Sequence, residues 1–411
     1  MTNYEKVAHR RTKKVLRIVD ATDTPLKNAT LQLKQTNHKF LFGWGAFDFN
    51  AYFAVQDPDK KAFFEQRMKI WMDLFNYGTL PFYWGQYERE EGNPQWESRM
   101  AAASYMKEHG IKAKGHPLCW HTVCANWLME YDNGTILKKQ LQRIERDVTQ
   151  FKGTIDIWDV INEVVIMPVF DKYDNAITRI CQAYGRTELV KRVFKEAKQA
   201  NPDSALLIND FNTSENYANV IEKCLEAGVP IDAIGIQSHQ HQGYWGAEKL
   251  ENVLHRFERF GLPIHFTENT LISGKPMPPE IVDLNDFNPE TWDSLPEFEE
   301  QQKNQLEEMY RILFAHPLVE AVTGWDLTDG GWLNAPSGIL RRDGSPKPAY
   351  DMLSGLIKNE WSTEYSAVTD ENGCFELYGF KGEYTLIIDG KEYSVMNDSK
   401  DSVEGLQLSE R

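Results

Sequence analysis

Asp156-Ile-Trp-Asp-Val-Ile-Asn-Glu163 is a short, almost continuously apolar run that ends in an amide and a carboxylate. A strand covered on both faces reads this way, because neither side of its sheet meets water. Working outward, seven further runs share the pattern: Phe40–Phe47, Asp73–Leu80, Lys112–Trp120, Ala205–Asn212, Asp232–Gln240, Pro263–Thr270 and Glu320–Asp329. Segments with helical spacing lie between them. Asp57 before Pro58 reads as a cap and first turn, Ile136, Leu137, Leu141 and Ile144 recur on one face, and Gly228 and Gly261 punctuate helix ends. Eight strand–helix alternations without an internal break predict an α/β fold, a closed (β/α)8 barrel over residues 40–360.

The flanks, residues 1–39 and 361–411, change character. Lys14–Gln35 alternates as exposed strands do, with a turn around Asp23–Pro25. Beyond Trp361, Asp389-Gly390 between apolar strands signals a tight hairpin. Neither flank has enough apolar residues for its own core. Both ends are therefore expected to pair into one small accessory β module with a packing role, and the last eleven residues are expected to fray. Within the barrel, Ser273–Pro296 holds five Pro and little periodicity. A loop of that length is usually functional, and Trp292 is a candidate for a pocket wall.

The chain has 411 residues, 41% of them hydrophobic, which suffices for a barrel-sized core. Its net charge of −16 would repel a nucleic acid. The basic cluster Arg10, Arg11, Lys13 and Lys14 reads as a solvated end. No run of about 18 apolar residues suggests a membrane span, and no apolar stretch of signal-peptide length follows the N-terminal basic residues. The five cysteines are scattered, with no Cys-x-x-Cys pair, as thiols in a reducing compartment would be. A cytoplasmic location is the expectation.

Polar residues at the C-terminal ends of barrel strands converge on one mouth. The fourth strand delivers Asn162 and Glu163, and the seventh delivers Glu268, so two carboxylates from nearly opposite strands can face one ligand. Glycosidic cleavage needs such a pair, one protonated acid for the leaving oxygen and one anion for the developing oxocarbenium ion. A separation of roughly 5–5.5 Å would give retention. His, Gln, Asn and Trp recur at the ends of the third, sixth and eighth strands, which suits a polyhydroxylated ligand. His116 and His121 stand five apart at a strand end, unlike the helical pair of a metal site. No metal and no organic cofactor are implied.

The ordered set GHPLCWH (115–121), WDVINE (158–163), NDFN (209–212), GIQSH (235–239), FTEN (266–269), WDLTDGGW (325–332) and PKPAYD (346–351) resembles the family 10 glycoside hydrolases, the xylanase family. The likeness runs from about Phe40 to Ile357. It implies Glu163 as acid/base and Glu268 as nucleophile of a retaining enzyme acting on xylan-type oligosaccharides through a glycosyl-enzyme. It also implies that Asn162 bonds the sugar 2-hydroxyl, that His239 partners the nucleophile, and that Gln237 lies near the acid/base. His116, Trp120, Trp325 and Trp332 correspond to sugar contacts. The pKa of Glu163 is expected above the usual value of about 4.3, raised by the Glu268 anion.

Departures from the family concern recognition. A Glu-Asn pair and a Lys on the second strand are replaced by Thr79, Leu80 and Tyr83, so Tyr83, Trp84 and Phe82 are expected to form a more aromatic glycone wall. Asn269-Thr270 replaces an apolar residue and Asp after the nucleophile, and the eighth-strand motif is one residue shorter between Asp329 and Trp332. An exo-acting or divergent β-glycosidase is the alternative, and a catalytically silent carbohydrate-binding barrel is the competing class. The partner is an oligosaccharide or glycoside substrate, and the sequence leaves the oligomeric state open.

Overall fold

The computed structural model describes residues 6–287, 289–398 and 403–408. Two strands, β1 (Arg11–Val19) and β2 (Thr30–His38), precede the barrel. The eight staves follow as β3 (Leu41–Gly45), β4 (Tyr77–Pro81), β5 (Lys112–His116), β6 (Ile157–Asn162), β7 (Ala205–Asp210), β8 (Ala233–Ile236), β10 (Ile264–Leu271) and β11 (Val319–Gly324), with the two-residue β9 (His239–Gln240) after β8. All pair in parallel in the order β11-β3-β4-β5-β6-β7-β8-β10, and β11 closes the ring on β10. This is the (β/α)8 barrel. Several apolar runs extend past the observed strand ends. The run through Asp329, for example, leaves the sheet at Gly324, because the polar residues beyond it turn away to build the mouth.

Helices shield the outer face of the staves. The helix Asn133–Gln150 buries Ile136, Leu137, Ile144 and Val148, and the Asp132 carboxylate caps it by accepting from the Thr135 amide at 2.8 Å. Asp57 caps Pro58–Met72 in the same way, accepting from the Asp59 and Lys60 amides. Helices Phe47–Ala54, Glu97–Glu108, Ala176–Tyr184 and Pro348–Ser354 had no clear signal. Glu97–Glu108 shows why. It packs through Ala102, Ala103 and Met106, and it buries Arg99, whose guanidinium donates to the carbonyls of Pro81 and Gln95, both at 2.8 Å. Small residues and a paired cation make a buried face that hydropathy does not reveal.

The two chain ends meet beside the barrel in β12 (Glu364–Val368), β13 (Cys374–Phe380), β14 (Gly382–Ile388), β15 (Lys391–Asn397) and β16 (Val403–Gln407). One sheet runs β13-β1-β16 and the other β12-β2-β14-β15. Leu16, Ile18, Leu31, Leu33, Leu377, Tyr384 and Leu386 fill the space between them. Two expectations need correction here. Residues 403–407, placed in the fraying tail, form β16 parallel to β1, while 401–402 and 409–411 lie outside the described residues. The basic cluster is no solvated end either, since the Lys14 ammonium is buried, pairs with Glu404 and donates to the Met396 carbonyl at 2.7 Å.

Arg10 fastens this module to the barrel base. Its guanidinium donates to the carbonyls of Phe314 (2.9 Å), His316 (2.7 Å) and Val319 (2.6 Å) and lies 4.6 Å from the centre of the Phe40 ring. Arg10→Ala leaves three carbonyls without that donor and is expected to cost about 2–3 kcal/mol of stability. A urea titration reads this directly. An unchanged midpoint would mean the module is held elsewhere.

Candidate active site

Along a regular strand, residues three apart face opposite sides. Asp159 and Asn162 nevertheless both reach the barrel axis, because the register of β6 against β7 shifts between Asp159 and Ile161. Such an irregularity re-aims side chains. A second shift, in β10 between Phe266 and Asn269, lets the consecutive Thr267 and Glu268 serve one site. Glu163 leaves the end of β6 with φ of 56°, and Ser238 follows β8 with φ of 55°. Left-handed backbone at a non-glycine residue costs about 1–3 kcal/mol and is held only where neighbours enforce it. Here the Glu163 amide donates to the Asn209 carbonyl at 2.9 Å.

Three amides tie the two carboxylates together. Asn209 Nδ2 donates to Glu268 Oε1 at 2.7 Å and to Asn162 Oδ1 at 2.8 Å, while Thr267 Oγ1 donates to Asn209 Oδ1 at 2.7 Å. Gln237 Nε2 donates to Asn162 Oδ1 at 3.0 Å and to Glu163 Oε1 at 3.3 Å. With its oxygen engaged twice, the Asn162 amide has a fixed orientation. Asn209, in the NDFN stretch, has no role that the sequence alone assigns. Its type carries no titratable signal, and only the fold shows it holding Glu268.

The environments of the two acids differ. Glu268 is 3% exposed, and burial alone would raise its pKa. His116, at 3.9 Å from Oε1, His239, whose Nε2 lies 3.2 Å from Oε2, and Lys114 outweigh burial and hold the carboxyl below the usual range. Glu163 is pushed up to about 8, above all by burial; Trp120 opposes this most, Asp210 and Glu268 add to the rise, and Gln237 opposes it least. The expectation that Glu268 is the principal cause is thereby corrected. His121 Nε2 stands 3.8 Å from Glu163 Oε2, but burial lowers its pKa to about 4, so it brings no positive charge near neutral pH.

His116 is oriented from behind. Its Nδ1 lies 2.7 Å from Asp159 Oδ2, and Lys114 reaches the same oxygen at 2.6 Å. On the other side of Glu268, His239 Nδ1 meets Thr270 Oγ1 at 3.3 Å. The hydroxyl thus stands where the family resemblance implies a carboxylate. Tyr83 packs edge-on against His116 and tilted against Trp120, with ring centres 5.8 and 5.7 Å apart. Burial and the carboxylates of Glu268, Asp326, Glu163 and Asp159 keep its phenol protonated. Trp325 packs edge-on against His116 and His239, and the Trp332 ring lies 4.7 Å from that of His239. Asp326, within the WDLTDGGW stretch, anchors Trp332 by accepting from its amide at 3.1 Å.

Three expected wall residues stand elsewhere. Trp84 is 4% exposed, and its indole N–H donates to Glu88 at 3.0 Å while Arg143 covers its face. Phe82 is wholly buried against Phe151 and Trp158. Both lie at the bend after β4, where strand parity ends. Trp292 donates to the Lys275 carbonyl at 2.9 Å and fills a small core with Ile272, Met277 and Ala335, with its ring 6.0 Å from that of His241. Among the described residues, no group of three or more His, Cys, Asp or Glu could hold a metal ion. No helix among them is long and apolar enough to cross a membrane.

Known proteins resemble this chain in sequence and in fold. The chain is 27% identical over 333 residues to an endo-1,4-beta-xylanase/feruloyl esterase of Xylanibacter ruminicola, covering 71% of this chain and 42% of that protein. It is 24% identical over 390 residues to the anti-sigma-I factor RsgI6 of Acetivibrio thermocellus, covering 92% of this chain and 45% of that one. It therefore spans less than half the length of these curated relatives. A crystal structure of xylanase 10B from Thermotoga petrophila in complex with xylobiose superposes with a TM-score of 0.64 at 22% identity, covering 78% of this chain and 95% of that one. Residues 62–355 match Glycosyl hydrolase family 10, well over half of the chain, and the protein belongs to that family.

Proposed function

We propose that this protein hydrolyses β-glycosidic bonds of xylan-type or related oligosaccharides with retention of configuration. One observation carries the reading: Glu163 and Glu268 are joined through the amides of Gln237, Asn162 and Asn209 at the barrel mouth, and their surroundings displace the two carboxyl groups in opposite directions. Groups separated in this way divide acid and base work between them.

Glu163, protonated at neutral pH, donates its proton to the glycosidic oxygen as the aglycone leaves. The Glu268 carboxylate attacks the anomeric carbon from the opposite face and forms a glycosyl ester. Esterification removes the Glu268 charge that had favoured protonation of Glu163. The ionised Glu163 then takes a proton from water, the water oxygen attacks the same carbon, and Glu268 is released. Asn162 is the expected partner of the sugar 2-hydroxyl. His116, Trp120, Tyr83, Trp325 and Trp332 form the walls.

Proton NMR during hydrolysis of an aryl β-xylobioside is the test. The β-hemiacetal is expected first, with the α form growing only by mutarotation. Initial α product would refute the double displacement. The competing reading, a catalytically silent carbohydrate-binding barrel, would be supported by absence of any hydrolysis in the same assay. All five cysteines are free thiols, which supports a reducing compartment for the enzyme.

A further inference from the structure

The loop after β10 does not stay beside its own strand. Its turn Leu284–Asp286 touches two loops that start from opposite sides of the barrel. Asn285 Oδ1 accepts from the Trp332 indole N–H at 3.1 Å, on the loop after β11, the eighth stave. Asp283 and Asp286 flank the Lys172 ammonium at 2.6 and 2.8 Å, on the loop after β6, the fourth stave. Staves four and eight are diametrically placed in an eight-membered ring. A single 3₁₀ turn, about 6 Å long, thus joins loops that leave opposite staves.

The turn is well supported. Leu284 and Phe287 pack on the small core around Trp292. From the sixth stave's side, Gln242 Nε2 donates to the carbonyls of Pro278 and Ile281 at 3.0 and 2.8 Å. The loop of Lys172 begins directly after Glu163. A general acid stands on the leaving-group side of the bond it protonates, so the segment after Glu163 walls the aglycone side. Phe170 and Tyr173 lie on that wall, with Tyr173 half exposed, and Phe211 stands exposed at the end of the next stave.

We propose that the Lys172 clasp to Asp283 and Asp286 closes the aglycone side of the cleft, so that the preferred substrates are glycosides with a compact leaving group rather than long chains cut internally. This rests on the hydrolase reading above and adds the substrate class. Lys172 acts through the loop as a positioning residue and does not touch the sugar.

The experiment compares kcat/KM for an aryl β-xylobioside with that for soluble xylan, in the parent, in Lys172→Ala and in the double variant Asp283→Asn with Asp286→Asn. An exposed ion pair is worth up to about 1 kcal/mol, so the xylan-to-aryl ratio is expected to rise about fivefold in both variants. The rise should come through a lower KM for xylan, with aryl turnover held, and Lys172→Arg should restore the parent ratio. An unchanged ratio with full aryl activity in both variants overturns the clasp alone. So does a parent that rapidly lowers the viscosity of a xylan solution. A parent inert toward the aryl glycoside overturns the hydrolase reading, and the clasp with it.

Discussion

Glu268→Ala is expected to abolish hydrolysis, with kcat/KM falling by on the order of 10⁵-fold on every glycoside tested. Nothing else at this position can form the ester. The substitution also removes one of the two acceptors of Asn209 Nδ2 and the carboxylate that His239 Nε2 meets. Glu268→Gln is the better control for folding, because the amide has nearly the same shape and a thermal melt can be compared with the parent. Azide separates loss of chemistry from loss of structure. In Glu268→Ala a small anion can enter from the vacated face and displace an activated leaving group, giving the α-glycosyl azide. The same treatment of Glu163→Ala should give the β-glycosyl azide, because there the anion replaces water in the second step. Identical anomers from both variants, or a Glu268→Gln enzyme within tenfold of the parent, would contradict the assignment.

Glu163→Gln is expected to lower kcat/KM by about 10²–10⁴-fold on glycosides with poor leaving groups. Dinitrophenyl glycosides, which need no protonation to leave, should keep a rapid first step. The pH profile tests the same residue. Protonated Glu163 is the competent form, so activity is present below its pKa of about 8 and lost as pH rises through it. Glu268 must be ionised. Burial raises its pKa, but His116, His239 and Lys114 prevail, so the acid arm falls below the usual carboxylate range. The kcat/KM profile of the parent is therefore expected to have a broad plateau with an alkaline arm near pH 8. That arm should vanish in Glu163→Gln on activated substrates. An alkaline arm that survives would belong to another group.

The barrel was legible because each stave is a compact apolar run, and the polar residues that follow Ile161 and Phe266 announce where the mouth begins. Helices that bury alanine and a paired arginine, as Glu97–Glu108 does, gave no such signal. The two carboxylates could be read because their residue types and strand positions match the chemistry. Asn209 could not, since an uncharged amide is informative only once its two acceptors are seen. Trp84 was misread for a related reason. A sequence shows that an indole follows β4, but the chain turns into a short helix there and carries the ring away from the mouth. Irregularities in β6 and β10 were invisible as well, and they decide which neighbours share a face.

The interleaving of the two chain ends constrains how the molecule can be made. On the ribosome, β1 and β2 emerge before the barrel, yet every strand that pairs with them starts at residue 364 or later. At about 5–20 residues per second, the finished N-terminal strands wait roughly 15–70 s for their neighbours. During that interval Leu16, Ile18, Leu31 and Leu33 lie on open edges, the kind of surface that recruits other chains. A stop codon just after the barrel would make that wait permanent. Such a product would retain every stave of the barrel and still be prone to precipitate.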